Sequence, residues 1–309
     1  MTTQVFVPPS PLQTAVLFLV FNRPDTTKQV FEAIRQAKPP RLYVAADGAR
    51  EDKPGEVERV EQVRKIATQV DWPCKVETLF RDKNLGCKLA VSSAITWFFE
   101  NEEQGIILED DCLPSQSFFW FCEELLKRYK DDMRIFMVSG YNKQQEHDTN
   151  NDYFFSAVGG IWGWASWRRA WKYYNVDITN LVKSYEEEFY KLEFLLGKKI
   201  YKARVEHFNA LKNGLDTWDY QWSFARHFNS GLSCVPKTSL IRNIGFGEDA
   251  THTTLGQDTV VMQDIKLPSQ ENKIVIADLI YDEKIHGKIS IFERMMSKLK
   301  KEIHEILKK

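Results

Sequence analysis

Three acidic residues in a row, Glu109, Asp110 and Asp111, close the apolar run Gly105-Ile-Ile-Leu108. Adjacent carboxylates repel one another, and burying each without a partner costs several kcal/mol. Two arrangements relieve this. Asp110 and Asp111 can open the next loop and cap the helix near Ser115, as surface aspartates do. Alternatively, carboxylates at a strand's carboxyl end can hold a hard divalent cation, Mn2+ or Mg2+, which takes a diphosphate as its remaining ligands.

A second acidic pair, Asp216 and Asp219, sits in Asp-Thr-Trp-Asp-Tyr. A carboxylate there can take a proton from an attacking hydroxyl. On a helix the two would share a face, so both remain open as the base. The stretch Gly159-Gly-Ile-Trp-Gly-Trp-Ala-Ser-Trp-Arg-Arg169 sets three glycines among Trp162, Trp164 and Trp167. Glycines let backbone approach a ligand closely, and tryptophan faces suit sugar C–H surfaces. Trp162 and Trp164 are therefore expected at an acceptor site, although a tight turn with core tryptophans reads the same. Arg168 and Arg169 reach either a phosphate or water.

These groups need elements to position them. Ala15–Phe21 reads as a buried strand, and Thr26 with Gln29 has capping-box spacing for a helix with Val30, Phe31, Ile34 and Ala37 on one face. Strands are expected over 41–48, 74–82, 105–111 and 134–140, with helices over 53–70, 89–101 and 115–130. Strand and helix alternate, so the chain is expected to be α/β with a mainly parallel central sheet flanked by helices. Ligands in such sheets bind beyond the strands' carboxyl ends. Asn22-Arg23, Asp47-Gly48, Arg81-Asp82 and the acidic triplet all end strands, and so are expected on one edge. One domain is expected over 14–285, split into a first half 14–140 and a second half 141–260. Residues 288–309 form a separate stretch, with an apolar helical stripe and seven Lys/Arg against three Glu. It reads either as a packing helix or as an interfacial helix on an anionic membrane.

Composition narrows the classes. A net charge of -1 gives no global field for nucleic acid, and no nucleic-acid partner is expected. Five cysteines without CxxC spacing read as reduced thiols in a cytoplasmic protein. No run reaches the length of a membrane span, and no secretory leader is evident.

The segments LVFNRPDTT, AADGAR, FRDKNLGCKLAVSSAITWFFEN, GIILEDDCLPSQSFFWFCEELLKRY and IFMVSGYN follow in this order. Together they resemble the nucleotide-sugar half of GT-A-type glycosyltransferases, nearest to inverting N-acetylglucosaminyltransferases with an EDD form of the DxD motif, and to related bacterial sugar transferases. The resemblance continues through GGIWGWASWRRAW, TWDYQWSFA and NIGFGEDATHT, covering roughly Ala15 to Thr254. It implies a metal-dependent transfer from a UDP-sugar, with inversion, to a glycan or lipid-linked acceptor in polysaccharide or lipopolysaccharide assembly. Such an enzyme would work in the cytoplasm, peripheral to the inner membrane face. By this resemblance Asp111 is the metal ligand, Asp110 a ribose or metal-water contact, and Glu109 a contact to the donor sugar. Asp47 is implied to bind the uracil, Asn22 and Arg23 to wrap the nucleotide, and Arg81 and Lys88 to bind the donor. His252 is implied at the metal or diphosphate, and Asp219 as the base. A nucleotidyltransferase is the alternative enzyme, but the glycine-free FLVFNRPD argues against it. A non-catalytic glycan-binding relative of the same fold is the other alternative.

Overall fold

The computed structural model describes residues 6–144, 147, 149–179, 191–245 and 260–285. His252 and the basic stretch 288–309 lie outside the described residues.

The first half alternates as expected: β1 (Val16–Val20), α1 (Pro24–Ala37), β2 (Arg41–Ala46), α2 (Glu56–Ala67), β3 (Lys75–Phe80), α3 (Gly86–Asn101) and β4 (Gln104–Glu109). The strands lie in the order β3-β2-β1-β4, all parallel. Every residue of β1 is buried, which is why its sequence is continuously apolar rather than alternating. Val16, Phe18 and Val20 pack with α1 and α4 (Gln116–Arg128), while Leu17 and Leu19 pack with α3 on the other face. β3 is the sheet's edge and carries Lys75 and Glu77 outward, as edges commonly do. The expected capping box on α1 does not form. Pro24 sits in the first turn, where a missing N–H costs nothing, and makes Arg23 the N-cap. The Thr27 hydroxyl instead donates to the Arg23 carbonyl at 2.7 Å.

The second half makes the sheet mixed, although four of its seven strand pairings are parallel. β6 (Ile135–Ser139), at the end of the first half, and β7 (Tyr153–Ser156), β8 (Trp164–Trp167) and β9 (Leu232–Pro236) from the second join the same eight-stranded sheet, in the order β3-β2-β1-β4-β8-β6-β9-β7. β8 runs antiparallel to both β4 and β6, and β7 antiparallel to β9. The sheet is mixed. The glycines before β8 make its entry possible: Gly163 has a φ of 58°, and a side chain there would run into Ile241. β5 (Cys112–Pro114) and β10 (Ile241–Asn243) form a small antiparallel pair beside the cleft. α5 (Arg168–Trp171), α6 (Lys191–Leu196), α7 (Lys198–Lys212), α8 (Asp219–Phe228) and α9 (Leu279–Ile285) complete the described helices. All five cysteines are free thiols.

Trp164 is not an acceptor contact. It is 0% exposed and packs in a core cluster with Trp171, Trp218 and Trp222, its ring stacked on Trp218 at 5.8 Å and 18°. Strand alternation turns Trp164 to one face of the sheet and Trp167 to the other, and both faces are covered. Arg168 and Arg169 are both engaged by backbone carbonyls. Arg168 donates to the Phe99 carbonyl, and Arg169 to the carbonyls of Lys130, Ile135 and Tyr129 at 2.7, 2.9 and 2.8 Å. Trp164→Ala is expected to lower unfolding stability by about 3–5 kcal/mol in urea denaturation. A loss within about 0.5 kcal/mol is what an exposed ligand contact would give.

Candidate active site

The carboxyl ends of β1, β2 and β4 open onto a cavity of about 850 Å³. Arg23, Asp47, Glu109, Asp110 and Asp111 line it from the first half, and Trp162, Asp216 and Asp219 from the second. The structure thus brings together most of the residues that the sequence singles out. Asn22, Arg81, Lys88 and Trp164 are not among the lining residues.

The acidic triplet is met by one arginine. Arg23 Nη2 lies 2.5 Å from Asp110 Oδ1, and Nη1 lies 2.9 Å from Asp111 Oδ2. The Phe21 N–H donates to Asp110 Oδ2 at 3.1 Å. Neither aspartate caps α4. Ser115 holds the N-cap position, and the Ser117 N–H donates to Asp264 at 2.8 Å. Asp110 is 2% exposed, and burial pushes its carboxyl up to about 6 against the pull of Arg23. Burial, followed by the charges of Asp111 and Asp110, pushes Glu109 up to about 8. Glu109 Oε1 is buried with no hydrogen-bond partner among the described residues. Gly245 closes over the pair: a Cβ there would lie 2.8 Å from Arg23 Nη1 and would collide with the Asp111 carboxylate.

No three His, Cys, Asp or Glu side chains among the described residues gather into a metal cage. A cation shared with a diphosphate does not need one, since one or two protein carboxylates suffice. The donor set fits such a cation. Asp110 and Asp111 offer hard oxygens, and the Glu109 Oε1 beside them has no hydrogen-bond partner among the described residues. Among the described residues the lining holds six carboxyl side chains, those of Asp47, Glu109, Asp110, Asp111, Asp216 and Asp219, and the guanidiniums of Arg23 and Arg50.

Asp47 receives the N–H groups of Gly48, Leu85 and Gly86 at 3.0, 3.0 and 3.2 Å, and so ties the β2 end to the loop before α3. Burial raises its pKa, opposed by those bonds. Asn22 acts at one remove. It donates to Glu56 at 2.7 Å, and Glu56 holds Arg50 at 2.5 Å. Although burial works against it, Arg50 and Asn22 hold the Glu56 carboxyl down to about 2. Arg50, stacked 5.5 Å from the Phe21 ring, lines the cavity and was missed. Its place directly after Asp47-Gly48-Ala49 was the available signal. Arg81 turns to Ser93 at 2.7 Å. Lys88 contributes its backbone N–H, to Asp216.

The two candidate bases separate cleanly. Asp216 lies in the loop before α8 and accepts the N–H groups of Cys87 and Lys88 at 2.8 and 2.9 Å. It caps α3 from 129 residues away in the chain. Gly86, at φ 78°, must be glycine, because a side chain would collide with the Asp216 carboxylate. Asp219 is the first residue of α8, so the two do not share a helix face. It accepts a hydrogen bond from the Thr217 hydroxyl and faces the cavity. Behind it stands Arg204, which burial pushes down to about 10 against the attraction of Asp219 and Tyr220. Arg204 Nη1 meets His207 Nδ1 at 2.6 Å, and the His207 ring stacks on Tyr220 at 3.8 Å. Tyr220 also lines the cavity; nothing in its sequence context distinguished it. Trp162 lies at the cavity wall, its ring 4.5 Å from Tyr141.

No family model matches the chain, and a search of curated proteins finds no relative. Among solved structures it is similar to HddC from Yersinia pseudotuberculosis, with a TM-score of 0.30 and 10% identity over 51% of this chain and 78% of that one. It is also similar to the glycosyltransferase GlyE of Streptococcus pneumoniae TIGR4, with a TM-score of 0.34 and 10% identity over 72% of this chain. This chain spans 45% of GlyE. Likenesses at these scores assign no chemistry to the cleft.

Glu109 gives a signed pH dependence. Its pKa rises from 4.5 to about 8 on folding, so the folded state keeps a proton that the unfolded state has released. The stabilisation is complete below about pH 4.5 and is lost as pH rises through about 8. Glu109→Gln cannot ionise. Its melting temperature is expected to fall less than that of the native protein across this window, in scans at matched ionic strength. Parallel curves would show that Glu109 is ionised throughout.

Proposed function

We propose that the chain is a glycosyltransferase that moves a sugar from a nucleotide-diphosphate donor, a UDP-sugar, to a hydroxyl of a glycan or lipid-linked acceptor. The observation that carries this reading is the cleft itself. An acidic triplet ends a parallel strand, and a carboxylate on the other wall, Asp219, is not spent on capping backbone as Asp216 is.

Asp47, at the β2 end, takes the base through acceptor capacity that its three backbone N–H bonds leave over. Arg23 and Arg50 face the diphosphate. Asp110 and Asp111 hold a Mn2+ or Mg2+ ion, with Glu109 beside them. When bound, the ion supplies the positive charge that stabilises the leaving diphosphate. The acceptor oxygen attacks the anomeric carbon as the bond to the diphosphate breaks, and the hydroxyl proton passes to Asp219. Attack from the face opposite the leaving group gives inversion. Trp162 is placed to pack against a sugar.

Thermal shift and calorimetry against UDP, GDP, CDP and ADP, with and without Mn2+, test the donor half. UDP is expected to stabilise the native protein in the presence of Mn2+, and Asp111→Ala to abolish that effect. Asp219→Asn is expected to keep UDP binding and lose about 10²–10⁴-fold in transfer or donor hydrolysis. Asp216→Asn is expected to cost stability first, by about 0.5–2 kcal/mol, as lost caps do. If no nucleotide binds, the glycan-binding reading takes over.

Among the described residues no helix is long and apolar enough to cross a membrane. We place the enzyme at the cytoplasmic membrane face through the basic stretch 288–309, where a lipid-linked acceptor would lie. Flotation on anionic vesicles is expected for the full chain and not for one ending at residue 287. Equal flotation would remove the membrane role from this stretch.

A further inference from the structure

We propose that Arg23 is the resting occupant of the cation position: an internal counter-ion that a divalent cation must displace, and that the donor's diphosphate draws away. This rests on the reading of the cleft as a diphosphate site.

The geometry makes the two cations exclusive. One guanidinium spans two carboxylates, with Nη2 on Asp110 Oδ1 and Nη1 on Asp111 Oδ2, at 2.5 and 2.9 Å. These oxygens are the ones that the proposed ion would use. Gly245 packs against the same Asp111 carboxylate and the same Arg23 nitrogen, so closely that even a methyl group would not fit. Gly245 thus closes one side of the pair while the other opens onto the cavity, and as long as the guanidinium keeps both oxygens they are not free for an ion.

The resting arrangement is also incomplete. Arg23 has turned its two terminal nitrogens to the aspartates, and Glu109 Oε1 remains buried and unpartnered. A guanidinium carries a single charge in a planar fork, whereas a divalent ion concentrates two charges at a point. Arg23 thus keeps the triplet tolerable without satisfying it. The other guanidinium in the lining, Arg50, is held by Glu56, so it is not the one released.

Once displaced, Arg23 needs an anion. A phosphate accepts the same two-pronged fork as a carboxylate. A nucleoside diphosphate bound with the ion provides that partner and lowers the cost of displacement. Ion and nucleotide then favour each other's binding beyond their direct contact, and the favour is reciprocal. The ion alone binds weakly, so the cleft is not loaded before the donor is present.

The test measures Mn2+ binding to the full chain, by the resonance signal of free Mn2+ and by calorimetry, first without nucleotide and then with UDP. The proteins are the native chain, Arg23→Gln and Arg23→Lys. Without nucleotide, Mn2+ is expected to bind Arg23→Gln about tenfold or more tightly than the native chain, which corresponds to at least about 1.4 kcal/mol of competition. The tightening that UDP confers on Mn2+ should shrink by a similar factor. Arg23→Lys keeps the charge without the fork, should fall between the two, and carries the comparison if Arg23→Gln does not fold. Equal Mn2+ affinity in all three proteins, with UDP still tightening it, overturns the competition while leaving the donor site intact. Failure of the native chain to bind UDP with or without Mn2+ overturns the donor site, and this inference with it.

Discussion

Asp110 directly follows β4, whose four central residues are buried, and its charge is held there by a single guanidinium. Losing one partner of such a pair costs about 3–5 kcal/mol, whereas replacing both with apolar groups can be nearly neutral. The surrounding chain is arranged around this pair. Arg23 is at once the counter-ion and the N-cap of α1, and its carbonyl receives both the N–H and the hydroxyl of Thr27. The Phe21 N–H turns to Asp110, and Gly245 closes from the second half. The start of a helix, the end of two strands and the roof of the cleft therefore share one electrostatic requirement.

The opposite wall is set by hydrophobic packing instead. β8 enters antiparallel between β4 and β6, and Trp164 brings Trp218 and Trp222 against the sheet. Trp218 and Trp222 bracket the first turn of α8, so burying them fixes where that turn begins. Asp219 lies between them in sequence and is delivered to the cleft by that burial. Its carboxylate needs no network of its own to be positioned. The Thr217 hydroxyl donates to a group whose place the tryptophans have already decided.

Much of the first half was legible. Continuous apolar runs, helical spacing and strands ending in polar residues placed Arg23, Asp47 and the acidic triplet on one edge, and β1, β2, β3 and β4 are parallel as that required. What periodicity cannot carry is strand direction once the alternation with helices stops, and β8 reverses the sheet there. Nor does residue type say which face a side chain takes. Trp162 and Trp164 stand two apart in one motif, yet one lines the cavity and the other is sealed in the core. Arg81, Arg168 and Arg169 looked available to phosphate because they are charged, but Ser93 and backbone carbonyls use them. Spacing alone left Asp216 and Asp219 both open, and only the resemblance favoured Asp219; the partner that sets Asp216 apart lies in α3.

That partnership also orders events in time. The first turn of α3 has its N–H groups satisfied by a residue that follows 129 positions later. During synthesis, the strands and helices of the first half are complete well before Asp216 leaves the ribosome. Until it arrives, the N–H groups of Cys87 and Lys88 at the start of α3 lack their acceptor, while Asp47 already holds those of Leu85 and Gly86. Contacts of such long sequence separation form late, because the entropy of closing the intervening loop must be overcome first. A chain interrupted before residue 216 would lack both this cap and β9, which joins β6 to β7, so the cleft and the far side of the sheet would be missing together.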